Sequence, residues 1–323
     1  MKSAIYALCL LLLVGCTTQS GFDRSAFLNR PERKLVTYKA SFDVNIGKRV
    51  GIAPPEILQY LNGMDSTDKY LPYSPTDEEL RIFSEYFALL PSKFRATMER
   101  YVVGIYFISN FGGGGMSDFL YDENGKMYIA LYLNPEVLKK SLEEWMEYRE
   151  NSPFSANSDI VIKVESDQSY RGLLQTLVHE ASHIYDYYYH ETPYIQAFFK
   201  ENKGTDPTPF TQGIWEDYRV PKDTLNFLSQ TKYSGYGLNG QIDRSHAIPL
   251  YSHLAKSPFS SLYGSLSWAE DFAETFTWYY LKTKLGISYK VTVQKDGKTV
   301  ASFAPDKDEV LPDRYRLFAG IVE

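Results

Sequence analysis

Cysteine is nearly absent from this 323-residue chain, and histidine is scarce. The only two cysteines, Cys9 and Cys16, lie within the first sixteen residues, and there are five histidines in all. A disulfide, a cysteine nucleophile and a cysteine-ligated zinc site are therefore excluded from residue 17 onward. The chain also has no excess of positive charge: its formal net charge is -6, which argues against nucleic acid as a partner.

The first fifteen residues have the pattern of a secretory signal. Lys2 supplies a positive charge, and the apolar stretch from Ala4 to Val14 is shorter than the roughly 20 residues of a transmembrane helix. The stretch ends in Leu-Val-Gly-Cys, which resembles a bacterial lipobox, so we expect a signal peptide at 1–15 and a lipid anchor on Cys16. By analogy with enteric bacteria, Thr17 favours sorting to the outer membrane, facing the periplasm or the cell surface. The alternative is an apolar N-terminus packed within the fold.

Changes in polarity divide the remainder of the chain. Residues 16–35 are polar and predict a membrane tether, and residues 36–90 an N-terminal extension. Residues 91–323 predict a catalytic domain with a loop-rich insertion at 191–266, rich in Pro, Gly, Ser and Tyr. Helical and strand-like segments alternate around a small mixed sheet, so the predicted fold class is α+β.

Hydrophobic periodicity predicts the individual elements. The predicted helices span 75–91, 135–150, 168–189 and 267–285; the predicted strands span 99–111, 126–134 and 158–166, with a hairpin at 288–305. Four consecutive glycines, Gly112 to Gly115, predict a flexible loop between two strands. A phosphate-binding P-loop is not expected there, because no Lys-Ser/Thr pair follows the glycines.

One motif in the helix predicted at 168–189 carries metal chemistry. His179 and His183 are four residues apart, and helical residues at this spacing share a face, with Cβ atoms about 5–6 Å apart. The motif H-E-x-x-H thus directs two imidazoles at one ion, with Glu180 beside the open coordination position. The spacing indicates a zinc site; the alternative is a buried helix whose histidines bond to backbone or carboxylate groups.

A third ligand must come from elsewhere, because catalytic zinc usually takes three protein ligands and one water. In the helix predicted at 267–285, Glu270 and Glu274 share a face, while Asp271 turns away. We expect Glu270 to be the ligand and Glu274 to accept a hydrogen bond from a ligand imidazole. Alternatively, Glu270 closes a capping box with Ser267, since the two form S-x-x-E, and Glu274 is the third ligand.

The three remaining histidines are weaker candidates. His190 follows His183 by seven residues, near the same helix face, and is expected to be a bystander. His246 and His253 lie in the insertion, where a histidine can contact substrate but is more often a solvated loop residue.

Two patches of sequence resemble one enzyme family. "HEASHIYD" and "LYGSLSWAEDFAETF", the second containing Y-G-x-x-x-x-A-E-x-F-A-E-x-F, resemble the catalytic domain of the anthrax lethal factor family of zinc metalloproteases. This ATLF-like group also includes the Pro-Pro endopeptidases. The resemblance implies a zincin-like fold, with an active-site helix, a C-terminal glutamate-bearing helix, and zinc on His179, His183 and Glu270.

The resemblance also implies roles for other residues. Glu180 would be the general base, Tyr263 a hydrogen-bond donor to the developing oxyanion, and Asp186 a structural or supporting residue. An extended peptide would lie along an edge strand beside Gly112 to Gly115. The expected function is hydrolysis of a protein or peptide substrate by a zinc-activated water. The alternatives are a non-catalytic binding lipoprotein and a zinc hydrolase of cell-wall peptides; the sequence carries no signal for oligomeric state.

Overall fold

The protein is an α+β fold, as the sequence predicts. A computed structural model describes residues 23–38, 42, 45–156, 159–199, 205–222, 225–228, 233, 235–236, 242–305 and 314–322. Cys9 and Cys16 lie outside these residues, as does the predicted signal peptide. Within the described ranges, no helix has the length and apolar character that crossing a membrane requires.

The bounds of the regular elements in the described chain are as follows. The α-helices are α1 (Arg24–Leu28), α2 (Pro55–Met64), α3 (Asp77–Ala88), α4 (Ser92–Tyr101), α5 (Glu136–Lys139), α6 (Leu142–Asn151), α7 (Gly172–Tyr189), α8 (Tyr194–Phe199), α9 (Ala247–Leu254), α10 (Trp268–Leu285) and α11 (Ala319–Val322). The strands are β1 (Val50–Gly51), β2 (Leu71–Tyr73), β3 (Val102–Ser109), β4 (Gly115–Tyr121), β5 (Met127–Leu133), β6 (Ile160–Glu165), β7 (Trp215–Asp217), β8 (Val220–Pro221), β9 (Lys290–Lys295) and β10 (Lys298–Phe303).

A five-stranded mixed sheet separates two hydrophobic cores. Its order is β1-β3-β5-β4, with β2 also paired to β3; β3 runs parallel to β1 and β5, and β4 is an antiparallel edge strand on β5. Because successive strand residues face opposite sides, Ile105 and Phe107 enter the core beneath α7 and α10, whereas Tyr106 and Ile108 enter the core beneath α2. Both faces of β3 are covered, which explains its continuous apolar sequence.

A second sheet follows the order β10-β9-β6. The predicted hairpin is confirmed: Lys295 pairs with Lys298, and both intervening residues, Asp296 and Gly297, have positive φ angles of 50° and 73°. Two positive φ angles define the tight turn that suits the twist of a two-stranded ribbon.

Three segments differ from the predicted elements. Residues 92–101 form α4 ahead of β3, and residues 115–121 form β4, although glycine, serine and aspartate are weak strand formers. The single helix predicted at 135–150 is two helices, since Ser141 starts a new one: its hydroxyl accepts the N–H of Glu144, whose carboxylate accepts the N–H of Ser141.

The described part of the predicted tether packs on the domain. Phe27 is buried, and Arg33 is only 1% exposed. The Arg33 guanidinium forms an ion pair with Asp118 of β4 and donates to the carbonyl of Phe119 at 2.8 Å. Residues 23–38 therefore brace the same edge strand that begins at the glycine run. Residues of the predicted extension, including Ile57 and Phe83, contribute to the two cores.

The described part of the insertion is anchored through Asp271 of α10. The Asp271 carboxylate accepts the indole N–H of Trp215 at 2.8 Å and a bidentate pair from Arg314 at 2.9 and 2.7 Å. Asp271 thus turns away from Glu270, as the sequence predicts, and ties the insertion and the C-terminal segment to α10.

Candidate metal centre

Helix α7 presents its polar residues to a cavity because its apolar residues occupy the other faces. The apolar residues recur at three- and four-residue intervals, as an amphipathic helix requires, and are all buried: Leu173, Leu174, Leu177, Val178, Ala181 and Ile184. His179, Glu180 and His183 line the cavity. The sequence spacing therefore places both imidazoles on one side of the helix.

Helix α10 packs against α7 and brings Glu270 to the two histidines. The helix begins at Trp268, because the Ser267 hydroxyl accepts the backbone N–H of Glu270 at 3.3 Å. Ser267 thus caps the helix, while the Glu270 carboxylate faces the imidazoles. The helix cap predicted at Ser267 is therefore compatible with metal binding by Glu270, because the cap involves the backbone N–H of Glu270 and not its carboxylate.

His179, His183 and Glu270 form a group that could hold a metal ion, with donor atoms within 4.8 Å of one another. Three of these atoms, His179 Nε2, His183 Nε2 and Glu270 Oε2, form what we call the donor triangle. The two Nε2 atoms are 3.2 Å apart, and each lies 3.3 Å from Glu270 Oε2. Ligand atoms placed tetrahedrally at about 2.0–2.1 Å from zinc are about 3.3–3.4 Å from each other. The donor triangle therefore has the size that a single tetrahedral ion at such distances requires.

The charges of the centre also favour a cation. Burial alone would raise the pKa of the Glu270 carboxyl, but His183 and His179 hold it well below its usual range. Burial alone would lower the pKa of His179, but Glu270 and Glu274 raise it to about 10. The centre therefore places two ionised carboxylates beside the imidazoles, an arrangement that attracts positive charge.

Glu274 lies next to His179, beside the ring nitrogen that is not part of the donor triangle. Its side chain is fully buried, and Oε1 lies 2.9 Å from His179 Nδ1, on the side of the ring opposite Nε2. Both Glu274 oxygens also accept hydrogen bonds from Arg149, at 2.9 and 2.6 Å. Burial would raise the pKa of Glu274, but Arg149 and His179 lower it well below its usual range. Glu274 therefore lies at hydrogen-bond distance from an imidazole of the motif, where the sequence predicts an accepting carboxylate.

Glu180 lies beside the donor triangle, under the start of β4. Its side chain is 4% exposed, and Oε2 has no hydrogen-bond partner among the described residues. Burial raises the pKa of the Glu180 carboxyl, while His179 and His183 lower it by a smaller amount. A Cβ atom on Gly115 would come within 2.9 Å of Glu180 Cγ. Glycine at this position therefore lets the strand approach the glutamate closely.

Tyr263 lines the cavity opposite α7. Its ring centroid lies 6.0 Å from that of His179. It also stacks on Tyr236 of the insertion, with centroids 4.6 Å apart and an interplanar angle of 30°. The position predicted from the family motif is thus close to the donor triangle.

The cavity beside the donor triangle has a volume of about 390 Å³, within the usual range of about 300–1,000 Å³ for ligand pockets. Its walls are the glycine run and the start of β4, helices α6 and α7, the insertion, and the segment from Tyr263 to Glu270. The lining is rich in aromatic rings: Trp145, Tyr148, Tyr187, Tyr194, Tyr218, Tyr233, Tyr236 and Tyr263. A mostly apolar wall with a few converging polar groups is typical of a binding site.

The other predicted residues lie away from the donor triangle. Asp186 is buried, and its carboxylate accepts the backbone N–H of Thr192 at 2.6 Å, which fixes the turn after α7. His190 is exposed and ends α7 in the left-handed conformation, with a φ angle of 57°. His246 and His253 are exposed and do not line the cavity. Asp186 therefore has a structural place, and none of the three histidines lines the cavity.

Sequence reasoning missed Arg149 and Tyr236. Arg149 contacts Glu274 across 125 residues of sequence. A buried arginine in the pattern "EEWMEYRE" looks like any charged residue on a helix surface, and Tyr236 is one of 27 tyrosines. Neither has a local signal that would identify its partner.

No protein-family model matches this chain, and no curated protein or solved structure matches it either. The functional interpretation therefore depends on the site itself.

Proposed function

We propose that this chain is a zinc-dependent metalloendopeptidase with a zincin-like fold, of the ATLF-like type, anchored in the bacterial envelope through Cys16. The observation that carries the proposal is the donor triangle, whose three edges of 3.2, 3.3 and 3.3 Å match tetrahedral zinc. Two imidazoles and one carboxylate are a ligand set used by zinc peptidases. The triangle assembles from two helices whose ligands are 87 residues apart in sequence.

Zinc on His179, His183 and Glu270 would supply Lewis acidity for peptide hydrolysis at neutral pH. Glu180 accepts a proton from the attacking water and returns it to the leaving amine. Its burial and its unpartnered Oε2 support this role, because a buried carboxylate with a free oxygen can accept a proton without first breaking another hydrogen bond.

Tyr263 donates a hydrogen bond to the oxyanion that develops on the substrate carbonyl. Its place on the cavity wall, facing His179 and stacked on Tyr236, supports this role. Its hydroxyl would then act on the same substrate oxygen that a bound zinc ion would polarise.

The substrate is an extended protein or peptide segment. The edge strand β4 begins at the cavity, and an extended chain can add to such an edge through backbone hydrogen bonds. Residues 23–38 contact the far end of β4, where Lys34 bridges to Tyr121.

The test is metal-dependent hydrolysis. The purified protein should cleave an unstructured peptide library, lose this activity after treatment with a chelator, and regain it with zinc at about one equivalent. Absence of cleavage when zinc is supplied would contradict the proposal and favour a non-catalytic binding lipoprotein. Cleavage restricted to cross-linked wall peptides would make the protein a cell-wall peptide hydrolase.

A further inference from the structure

We propose that Arg149 is a positioning residue of the metal centre, holding both Glu274 against His179 and the Tyr236 ring against Tyr263. This inference rests on the proposed zinc site and adds a residue that the motifs do not contain. One guanidinium would then fix the orientation of a metal-ligating imidazole and of the oxyanion donor.

The first contact is with Glu274. Arg149 Nη1 donates to Oε1 at 2.9 Å and Nη2 donates to Oε2 at 2.6 Å, and both side chains are buried. This parallel pair leaves Glu274 one orientation, in which Oε1 is 2.9 Å from His179 Nδ1. The imidazole is therefore held with Nε2 toward the donor triangle, as an orienting carboxylate does for a metal-ligating histidine.

The second contact is with the insertion. The guanidinium carbon of Arg149 lies 4.2 Å from the centre of the Tyr236 ring, within cation-π range. Tyr236 in turn stacks on Tyr263 at 4.6 Å. Arg149 thus packs on the ring that stacks on Tyr263, and so contributes to holding Tyr263 in place.

Arg149 is itself held by Glu150. Nε of Arg149 lies 3.2 Å from Glu150 Oε1, and Glu150 Oε2 accepts the hydroxyl of Tyr251 at 2.6 Å. All three guanidinium nitrogens are therefore engaged. A lysine would keep the charge but not the planar fork, so it could not hold a bidentate carboxylate and stack on a ring together.

The test compares Arg149→Lys with Arg314→Lys. Arg314 is a matched control: it is buried, makes a bidentate pair with Asp271 of the same helix α10, and stacks 4.1 Å from the Phe210 ring. The readouts are the dissociation constant for Zn²⁺, by competition with a chromophoric chelator, and the visible absorption of the protein loaded with Co²⁺. Arg149→Lys should weaken zinc affinity by about 10–100-fold and alter the cobalt spectrum, whereas Arg314→Lys should leave both unchanged.

A second variant, at Tyr236, tests the contact of Arg149 with the insertion. It can be interpreted even if Arg149→Lys does not fold. Tyr236 is half-buried, and Tyr236→Leu should lower kcat by about tenfold or more through a displaced Tyr263, with zinc affinity unchanged. Equal zinc affinity and equal cobalt spectra for the two lysine variants, or an unaltered kcat for Tyr236→Leu, would overturn the inference while leaving the zinc site intact. A wild-type protein that binds neither metal would overturn the proposed function as well.

Discussion

Replacing Glu180 with glutamine is expected to lower kcat/KM for peptide hydrolysis by about 10²–10⁴-fold. Glutamine has nearly the same shape and fits the same buried position, but its amide cannot accept the proton of the attacking water. Glu180 is not one of the three donor residues, so zinc content should stay at about one ion per chain.

Two controls make this result specific. Glu180→Asp keeps a carboxylate but shortens it, and should give an intermediate loss of activity. Glu165→Gln removes an exposed carboxylate that pairs with Lys290 far from the cavity, and should have no effect. Activity of Glu180→Gln within about tenfold of the wild type would rule out the general-base role. Loss of zinc from this variant would show that Glu180 supports the metal instead.

Replacing Arg33 with methionine is expected to lower the free energy of unfolding by about 3–5 kcal/mol. Methionine fills part of the space, but Asp118 then remains as a buried carboxylate without its cation. Arg33 also donates to the hydroxyl of Tyr60 at 2.8 Å, and Tyr60 donates to Asp118 at 3.0 Å, so one substitution breaks a three-residue network. Urea unfolding at a fixed zinc concentration measures the change.

Arg81→Met is the matched control, because Arg81 pairs with Glu78 and Glu85 on the exposed face of α3. Exposed ion pairs contribute little to stability, so this variant should unfold at nearly the wild-type urea concentration. Similar midpoints for the two variants would contradict the view that residues 23–38 are an integral part of the domain. The distinction matters for truncated variants. A protein that begins at residue 36 would lack Arg33 and its ion pair with Asp118 of β4.

Local patterns in the sequence predicted the parts of the site that lie on regular helices. The spacing of His179 and His183 fixes their common face, and the spacing of Glu270 and Glu274 does the same on α10. The break before α6 also had a local signal, because Ser141 and Glu144 form S-x-x-E in the middle of the helical pattern. That capping box could have been recognised from the sequence alone.

Contacts between distant residues without a periodic pattern could not be predicted. The pairing of Arg33 with Asp118 spans 85 residues, and that of Arg149 with Glu274 spans 125. A lone arginine in an otherwise polar stretch gives no indication that it will be buried or which carboxylate it will meet. The strand β4 was missed for a different reason: Gly115 is needed for close approach to Glu180 of α7, and Asp118 pairs with Arg33, so weak strand formers occupy this strand.

The most direct test of the metal centre is the zinc content of the purified protein beside that of Glu270→Ala. We expect about one zinc per wild-type chain, measured by elemental analysis after dialysis, and loss of that zinc from the variant. Zinc retained by Glu270→Ala would keep the metal but require another third ligand, and Glu274 would be the next candidate to replace. A wild-type protein without metal, after zinc has been offered, would contradict the proposal and make "HEASH" part of an ordinary buried helix.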